Sequence, residues 1–312
     1  MALVEARDLR LALGGRTILD GIGFAIEPGE VVGLLGPNGA GKTTTLSILA
    51  TLRRPDAGTA LVDGIDVTDD PAAVRRILGV VPQSIALYPS LTARENLRFF
   101  ARVLGLDGTG DAAVAGALDL VGLEERADDV VGTFSGGMQR RLNLACGLLG
   151  LPRVLLLDEP TVGVDPQSRE RILDAIRAQV DREAAVLYST HQLDEAERLC
   201  DRVVLIDRGR VVATGSPTAL LRERQRRLQL RMVTRAALPA GWAGDLPVER
   251  AGDADAAVAR GVETHVVLHD AAAAGAVLAR VATAGSGLVE FHLHEPSLQD
   301  LFLELTGKAL RD

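Results

Sequence analysis

The sequence is poor in aromatic residues, cysteine and histidine, and it has no excess of basic residues. Aromatic residues make up 3% of the 312 residues, and there are 2 cysteines and 5 histidines. Cys146 and Cys200 have neither CxxC spacing nor a histidine partner, which favours buried thiols over a disulfide or a zinc site. Lys and Arg number 34 against 42 Asp and Glu, a net charge of −8. Because nucleic-acid binding needs a basic surface, we expect no nucleic-acid partner.

Long apolar runs are also missing. The longest candidate, residues 142–157, is interrupted by Asn143, Pro152 and Arg153, which predicts a buried helix, a loop and a strand rather than a membrane span. The N-terminal residues lack the basic-then-apolar pattern of a signal peptide. A hydrophobic content of 47% is sufficient for a packed core. We therefore expect a cytosolic protein with one large domain or with a large and a small one.

The most informative stretch is a glycine-rich loop at residues 36–43, GPNGAGKT, which fits the pattern G-x-x-x-x-G-K-[ST]. An apolar run precedes it and a helix-compatible segment follows, which is the context of a phosphate-binding loop. Its backbone N–H groups and the helix N-terminus would bind phosphate. Lys42 would reach the β- and γ-phosphates of a nucleotide, and the Thr43 hydroxyl would hold Mg²⁺. The other loop residues expected to contact the nucleotide are Gly36, Asn38, Gly39, Ala40, Gly41 and Thr44.

A pair of acidic residues follows another apolar run. Residues 154–157 predict a strand buried on both faces, and Asp158 and Glu159 come directly after it. A carboxylate at the end of such a strand can reach a Mg²⁺ ion beside the phosphates. The second carboxylate can orient or deprotonate an attacking water. The alternative is an acid pair that only caps the turn before Pro160.

A second glycine motif begins at Ser135, which caps a predicted helix over residues 136–149. Two glycines at the helix N-terminus indicate a second anion site. One chain cannot easily fold this site onto its own phosphate loop, so it would complete the site of another copy. The alternative is a flexible turn before a helix. The residues of this motif are Ser135, Gly136, Gly137, Met138 and Gln139.

The order of strand and helix signals predicts an α/β fold. Residues 1–217 predict a mostly parallel, doubly wound sheet with an antiparallel layer at the N-terminus. The pattern is helical over residues 84–150, which indicates a helical insert, and a predicted helix end over 74–79 precedes a strand that stops at Gln83. A linker at 218–224 is followed by a small α+β appendage at 225–312.

Six stretches resemble, in order and spacing, the motifs of the ATP-binding subunits of ABC transporters. They are residues 36–43, Gln83, residues 135–139, residues 155–160, Asp165 with its preceding valine, and residues 189–191. The resemblance covers about residues 3–217. It implies a P-loop NTPase core that binds and hydrolyses ATP with Mg²⁺. It also implies a head-to-tail homodimer with two sandwiched nucleotides and a separate integral-membrane permease, which would hold the subunit at the inner face of the membrane.

The resemblance assigns roles to individual positions. It implies that Glu159 is the general base, that His191 contacts the γ-phosphate, and that Gln83 senses Mg²⁺ and the permease. Asp165 would communicate across the dimer. The helical insert after Gln83 would receive the permease.

Two positions depart from the usual pattern of the family, Leu13 and residues 162–164, and the C-terminal residues carry a further resemblance. The position that usually stacks adenine on an aromatic ring corresponds to Leu13, and loss of a base–aromatic stack costs about 1–3 kcal/mol. The C-terminal residues 296–307 are similar to the tail of the drug-resistance and ABC-2-type export branch, which implies export of a drug, antibiotic or lipid-like substrate. Asp165 is preceded by residues 162–164, Val-Gly-Val, a variant of the common motif.

Other functions remain possible from the sequence. An ABC-type ATPase acting on DNA or ribosomes would usually carry a coiled-coil insertion or two nucleotide modules, which this chain lacks. A regulatory dimer that uses ATP only for assembly would not need Glu159 and His191. The histidines of the appendage, His265, His269, His292 and His294, occur in pairs without nearby cysteine, which disfavours a metal site.

Overall fold

The structure is a computed structural model that describes residues 1–106, 110–222, 228–243, 248–250, 256–258, 261–268, 271–294 and 297–307. These residues divide into two compact units, Met1–Pro217 and Thr218–Ala309. Among the described residues no helix is long and apolar enough to cross a membrane.

The first unit alternates strands and helices. Its strands are β1 Val4–Leu13, β2 Arg16–Ile26, β3 Val31–Leu35, β4 Ala57–Val62, β5 Ile65–Asp66, β6 Leu78–Val81, β7 Val154–Asp158, β8 Ala185–Thr190, β9 Arg202–Asp207 and β10 Arg210–Gly215. Its helices are α1 Lys42–Leu49, α2 Pro71–Arg75, α3 Ala93–Val103, α4 Gly110–Val121, α5 Gly136–Leu148, α6 Pro166–Val180 and α7 Leu193–Leu199, with a further short helix, α8 Pro217–Leu221, at its end.

The central sheet has the strand order β10-β9-β3-β8-β7-β6. Strands β9, β3, β8, β7 and β6 are parallel, and β10 is antiparallel at one edge. Every residue of β3, β7 and β8 is buried, as expected for strands covered on both faces. The predicted mostly parallel α/β core is confirmed.

Strand β6 begins earlier than the sequence indicates, since the predicted helix end over residues 74–79 was wrong. Helix α2 ends at Arg75, and Leu78 and Gly79 pair with Val154 and Leu155 of β7. A side chain at Gly79 would overlap the backbone oxygen of Gly147. Parallel pairing and close packing against α5 therefore determine the start of this strand.

A second sheet in this unit is antiparallel, with the order β2-β1-β4-β5. It is the predicted N-terminal layer, although β2 begins at Arg16 and is longer than the apolar run at 22–26 indicates. Leu9, Leu19 and Ile22 are fully buried and belong to one apolar core with Leu34 of β3 and Ile48 of α1. This core holds the two sheets and α1 together.

The helical insert contains α3, α4 and α5, which contact one another. Thr92 and Glu95 form a reciprocal capping box at the start of α3. The Asn96 side chain is buried and bonds to both backbone groups of Tyr88, which fixes the segment between Gln83 and α3.

The second unit contains strands β11 Leu228–Thr234, β12 Val248–Arg250, β13 Ala256–Val258, β14 Gly261–Leu268 and β15 Leu288–His294, and helices α9 Ala271–Thr283 and α10 Leu298–Thr306. Its antiparallel sheet has the order β12-β14-β11-β15, and β13 also pairs with β14. The buried core of the unit includes Leu230, Met232, Val266, Val277 and Val281. The predicted α+β appendage is confirmed. The linker predicted at 218–224 overlaps α8, and its last two residues lie outside the described residues.

Candidate nucleotide-binding and hydrolytic site

Four predicted site segments lie at the same edge of the central sheet. Strands β3, β8, β7 and β6 are parallel neighbours, so their carboxyl ends meet at this edge. The chain continues from these ends into the glycine loop, His191, Glu159 and Gln83. Positions that are far apart in sequence are therefore brought together by strand order.

The glycine loop joins β3 to α1 in a strained conformation. Gly39 and Gly41 have φ values of 81° and 110°, which favour glycine. Gly41 is the N-cap of α1 and makes no side-chain cap, and no acidic residue lies in the first turn. A side chain at Gly36 would overlap the Ile206 carbonyl. The first N–H groups of α1 therefore have no side-chain cap and no acidic neighbour in the first turn, which is compatible with the predicted anion site.

Lys42 is buried inside this loop. Its ammonium group donates to the Gly36 carbonyl at 2.8 Å and to the Pro37 carbonyl at 3.4 Å. It also lies 3.2 Å from Oε1 of Glu159. Oxygen acceptors thus surround a buried positive charge, and phosphate oxygens are acceptors of the same kind. This arrangement fits a nucleotide bound on the loop.

Glu159 is the centre of the site. Its carboxylate is buried, with Oε1 3.2 Å from both Lys42 Nζ and His191 Nδ1. Its Oε2 accepts a hydrogen bond of 3.2 Å from the Gln83 amide. Three predicted functional side chains therefore converge on a fourth, the Glu159 carboxylate.

The backbone of Glu159 is also unusual, with φ at +47°. A non-glycine residue in this region costs about 1–3 kcal/mol. The carbonyl and the hydroxyl of Ser189 each accept from the Glu159 N–H at 3.1 Å. Ser189 thus helps to hold the backbone of Glu159 in this left-handed conformation.

Asp158 is buried beside it, at the end of β7. The Ser189 hydroxyl donates to Oδ1 of Asp158 at 2.6 Å. Thr43 lies exposed in the first turn of α1, one residue after Lys42. Carboxylate, hydroxyl and amide oxygens are the donors that Mg²⁺ prefers, so Asp158, Thr43 and Gln83 fit such an ion.

The second glycine motif lies at the start of α5. Ser135 is its N-cap and accepts from the Met138 N–H at 3.2 Å, while Ser135 and Gly136 are exposed. Gln139 instead turns back, donating to the Phe134 carbonyl at 3.3 Å. The helix start is therefore capped and open to solvent on one side.

Gly137 of this motif has a packing role that the sequence does not indicate. It is buried, and a side chain there would overlap the Asp165 carboxylate and the Ser168 hydroxyl. Asp165 caps α6 by accepting from the Ser168 N–H at 2.9 Å, and this bond lowers the pKa of Asp165. The starts of α5 and α6 thus meet at Gly137 and Asp165.

Leu13 is the last residue of β1 and precedes the turn formed by Gly14 and Gly15. Its side chain is 38% exposed. Contact with adenine stays a prediction for this residue.

Comparison with known proteins decides the family. The sequence model described as "ABC transporter" matches residues 19–162. The chain is 37% identical over 314 aligned residues to the linearmycin resistance ATP-binding protein LnrL of Bacillus subtilis (strain 168), covering 99% of this chain and 100% of that protein. This chain belongs to the ABC transporter family. It is an ATP-binding subunit of the kind that couples ATP hydrolysis to transport by a membrane permease, so the predicted family and enzymatic activity are confirmed.

Further similar proteins support this membership of the ABC transporter family. The Nod factor export ATP-binding protein I of Burkholderia orbicola (strain AU 1054) is 45% identical over 222 residues, which are 71% of this chain and 73% of that protein. A solved ATP-binding subunit of an ABC transporter superposes with a TM-score of 0.65 and 33% identity over 71% of this chain and 93% of its own. CbiO1 of Clostridium perfringens, part of the transporter complex cbiONQ, has a TM-score of 0.65 and 28% identity over 72% of this chain and 92% of its own.

Sequence reasoning missed Arg140 of this ABC subunit. Its guanidinium, on α5, donates to the backbone carbonyl of Gln83. Burial lowers the pKa of Arg140, although the nearby Glu159 charge opposes this. Arg140 thereby ties the helix of the second glycine motif to the residue that contacts Glu159. No local pattern marks this bond, because it depends on how the insert packs on the core.

A buried polar cluster behind the site was also missed. Glu195 of α7 accepts hydrogen bonds from the hydroxyls of Tyr188 at 2.6 Å and Thr161 at 2.7 Å, and Arg169 lies 3.1 Å away. Burial and the Glu195 charge raise the pKa of Tyr188. Thr161 is two residues after Glu159, and Tyr188 three before His191, so the cluster joins the loops that carry both.

Proposed function

We propose that Glu159 is the general base that activates the water attacking the γ-phosphate of ATP and that His191 contacts this phosphate. The observation that carries this proposal is the convergence of Lys42, His191 and Gln83 on the Glu159 carboxylate. A general base must lie within hydrogen-bond reach of the groups around the reacting atoms. Lys42 would bind the phosphates. Because Lys42 lies beside Glu159, the bound phosphates would lie next to the Glu159 carboxylate.

Mg²⁺ would be held by the Thr43 hydroxyl and Asp158, with the Gln83 amide nearby. When bound, the ion would neutralise charge on the β- and γ-phosphates. Ser189 orients Asp158 through the 2.6 Å bond, so the carboxylate is positioned before the ion arrives.

We also propose that two copies associate head to tail, so that Ser135 to Gln139 of one copy complete the nucleotide site of the other. The exposed Ser135 and Gly136 at the α5 N-terminus support this, because a helix N-terminus favours phosphate. The adjacent Asp165 would lie at the same interface, since Gly137 packs against it.

The permease would bind on the helical insert, which would place the subunit at the cytoplasmic face of the membrane. A groove of about 230 Å³ lies between β6 and the insert. Its apolar lining includes Val80, Pro82, Ala86, Phe100, Val103 and Leu104. Tyr88 and Phe99 lie exposed nearby with their ring centroids 4.9 Å apart. The lining residues Pro82 and Ala86 lie on either side of Gln83 in the chain, so binding of the permease in the groove would affect Glu159 through Gln83.

The transported substrate is proposed from the relatives. One relative, which is similar over the full length of this chain, is named for linearmycin resistance. Another, similar over 71% of this chain, is named for Nod factor export. We therefore propose that the complex exports an antibiotic or a lipid-like small molecule.

Substituting Glu159→Gln tests the assigned chemistry. We expect the variant to keep ATP, to form a stable dimer with it, and to lose turnover by about 100-fold or more because the base is removed. Single-turnover hydrolysis and sedimentation with Mg-ATP measure the two effects. The exposed Glu125→Gln is the matched control and should hydrolyse normally. Wild-type turnover in Glu159→Gln would refute the assignment.

Lys42→Ala separates binding from chemistry. Without the buried ammonium the loop should no longer hold phosphates, so Mg-ATP should not raise the melting temperature. A melting temperature still raised by Mg-ATP would mean that the nucleotide binds elsewhere.

A further inference from the structure

Strand β15 of the second unit has an exposed edge. It pairs with β11 on one side, and within the described ranges no strand pairs with its other side. An edge strand presents backbone N–H and C=O groups that can pair with another chain. This edge, residues 288–294, can therefore extend the sheet.

One face of β15 continues the core of the unit but is not covered. Phe291 lies opposite Met232 and Leu293 opposite Leu230, so these pairs share a face of the sheet. Met232 and Leu230 are fully buried in the core to which α9 contributes. Phe291 and Leu293 on the same face are 51% and 40% exposed. The apolar face of the sheet is therefore not covered at this edge.

The other face of β15 carries ionisable side chains. Glu290 and His292 lie on it, with His292 Nε2 2.6 Å from Oε1 of Glu290. Arg231 of β11 is 3.4 Å from the same carboxylate oxygen. The Glu290 and His292 side chains are 37% and 62% exposed, so both can meet a further strand.

We propose that β15 pairs antiparallel with β15 of a second copy, centred on Phe291. In this register Glu290 lies opposite His292 of the second copy, and His292 lies opposite the second copy's Glu290. The two Phe291 side chains lie opposite each other on the two-fold axis. The middle of the strand then opposes a carboxylate to an imidazole twice and an apolar side chain to an apolar side chain, which is a favourable arrangement.

Charge complementarity selects this register. A shift by two residues in one direction places Glu290 opposite Glu290, and a shift in the other direction places His292 opposite His292. Of these three registers, the proposed one alone opposes no two identical side chains on this face.

The contact is isologous, because the same strand is used by both copies. It involves no nucleotide, so it differs from the head-to-tail association proposed above and does not depend on it. An edge-to-edge contact is small, and we expect a dissociation constant on the order of 10–100 µM.

Cysteine cross-linking of the full, nucleotide-free chain tests the register. Phe291→Cys should give a disulfide-linked dimer on mild oxidation, since the directly opposed side chains lie about 5 Å apart. Leu293→Cys is the matched control, because its two copies would lie four residues, or about 13 Å, apart along the strand. Absence of the Phe291→Cys dimer, or equal linking of Leu293→Cys alone, would overturn the proposal.

Charge exchange tests the pairing by a second route. His292→Glu places like charges opposite each other twice, and we expect it to raise the dissociation constant about tenfold in sedimentation without nucleotide at about pH 6. The double exchange Glu290→His with His292→Glu should restore the wild-type value to within about threefold. A wild-type chain that dimerises only with ATP, or a double exchange that stays weak, contradicts edge pairing.

Discussion

Glu159 shows how a single residue is prepared for chemistry before any nucleotide binds. Its left-handed backbone is held by Ser189, and its carboxylate is held by Lys42, His191 and Gln83. Because the partners come from three other strand ends, the carboxylate position is determined by the sheet rather than by its own loop. If it acts as the proposed general base, a carboxylate held in this way loses little conformational entropy when the reaction begins.

Leu13 is predicted to limit the affinity for the adenine base of ATP. Leu13→Trp should lower the dissociation constant for ATP by about five- to tenfold or more, because a stacked ring contributes roughly 1–3 kcal/mol. Titration calorimetry with Lys42 intact measures this dissociation constant. The control is Leu52→Trp, a substitution at another exposed leucine. An unchanged dissociation constant would show that adenine lies away from Leu13.

Glu195 is predicted to position the catalytic loops rather than to react. Glu195→Gln should lower the free energy of unfolding by about 1–3 kcal/mol, because the buried Tyr188 and Thr161 and the half-buried Arg169 lose a charged partner. Turnover should fall while KM for ATP changes little, since Lys42 and its loop are untouched. Denaturant unfolding and steady-state hydrolysis measure the two effects. Glu170→Gln, which removes an exposed ion pair with Arg198, should leave both at wild-type values.

At the scale of elements, the starts of α5 and α6 form one unit. Asp165 caps α6 and packs on Gly137 of α5, so the two helix N-termini hold each other. Arg140 of α5 then reaches the Gln83 carbonyl. A movement of α5 would therefore displace both Asp165 and Gln83.

The two adjacent glycines of α5 should respond differently to alanine. Gly137→Ala has no room beside Asp165 and Ser168 and should lower the free energy of unfolding by about 1–3 kcal/mol. At Gly136→Ala no atom lies within 4 Å of the new methyl group, so this change should be neutral or slightly stabilising in the nucleotide-free chain. Thermal unfolding of both variants distinguishes these outcomes, and equal destabilisation would contradict the packing argument.

Loss of hydrolysis in Gly136→Ala without loss of stability is a separate expectation. In the proposed head-to-tail dimer this exposed position faces the nucleotide of the other copy. Normal hydrolysis by the variant would place the α5 N-terminus outside the site.

At the scale of the whole molecule, a composite site predicts complementation. Lys42→Ala should inactivate the phosphate loop, and Ser135→Arg should block the second glycine motif. Mixed together, the two inactive variants form heterodimers with one intact composite site, so activity should recover to about a quarter of the wild-type value if association is random. The control is a mixture of Lys42→Ala with Glu159→Gln, because both substitutions affect the same half of the composite site and no intact site can form. Failure of the first mixture to recover activity would mean that each chain hydrolyses ATP alone.

Much of the fold and of the site could be predicted from local pattern. The glycine loop is recognisable because its backbone conformation requires glycines at fixed spacing, and buried parallel strands are recognisable as continuous apolar runs. The boundary of β6 could not be predicted, because Leu78 and Gly79 become a strand only by pairing with β7. The burial of Glu195 could not be predicted either, since nothing on α7 shows that Tyr188 and Thr161 face it.

By itself the sequence determined the α/β core, the phosphate loop and the family, because each is encoded in contiguous residues with specific backbone requirements. Only the tertiary structure decided which groups surround Glu159, why Gly137 is glycine, and that the apolar face of β15 ends uncovered. These depend on strand order and on contacts between residues far apart in the sequence, such as Gln83 with Glu159. Such contacts follow from how the elements pack, and no local pattern records them.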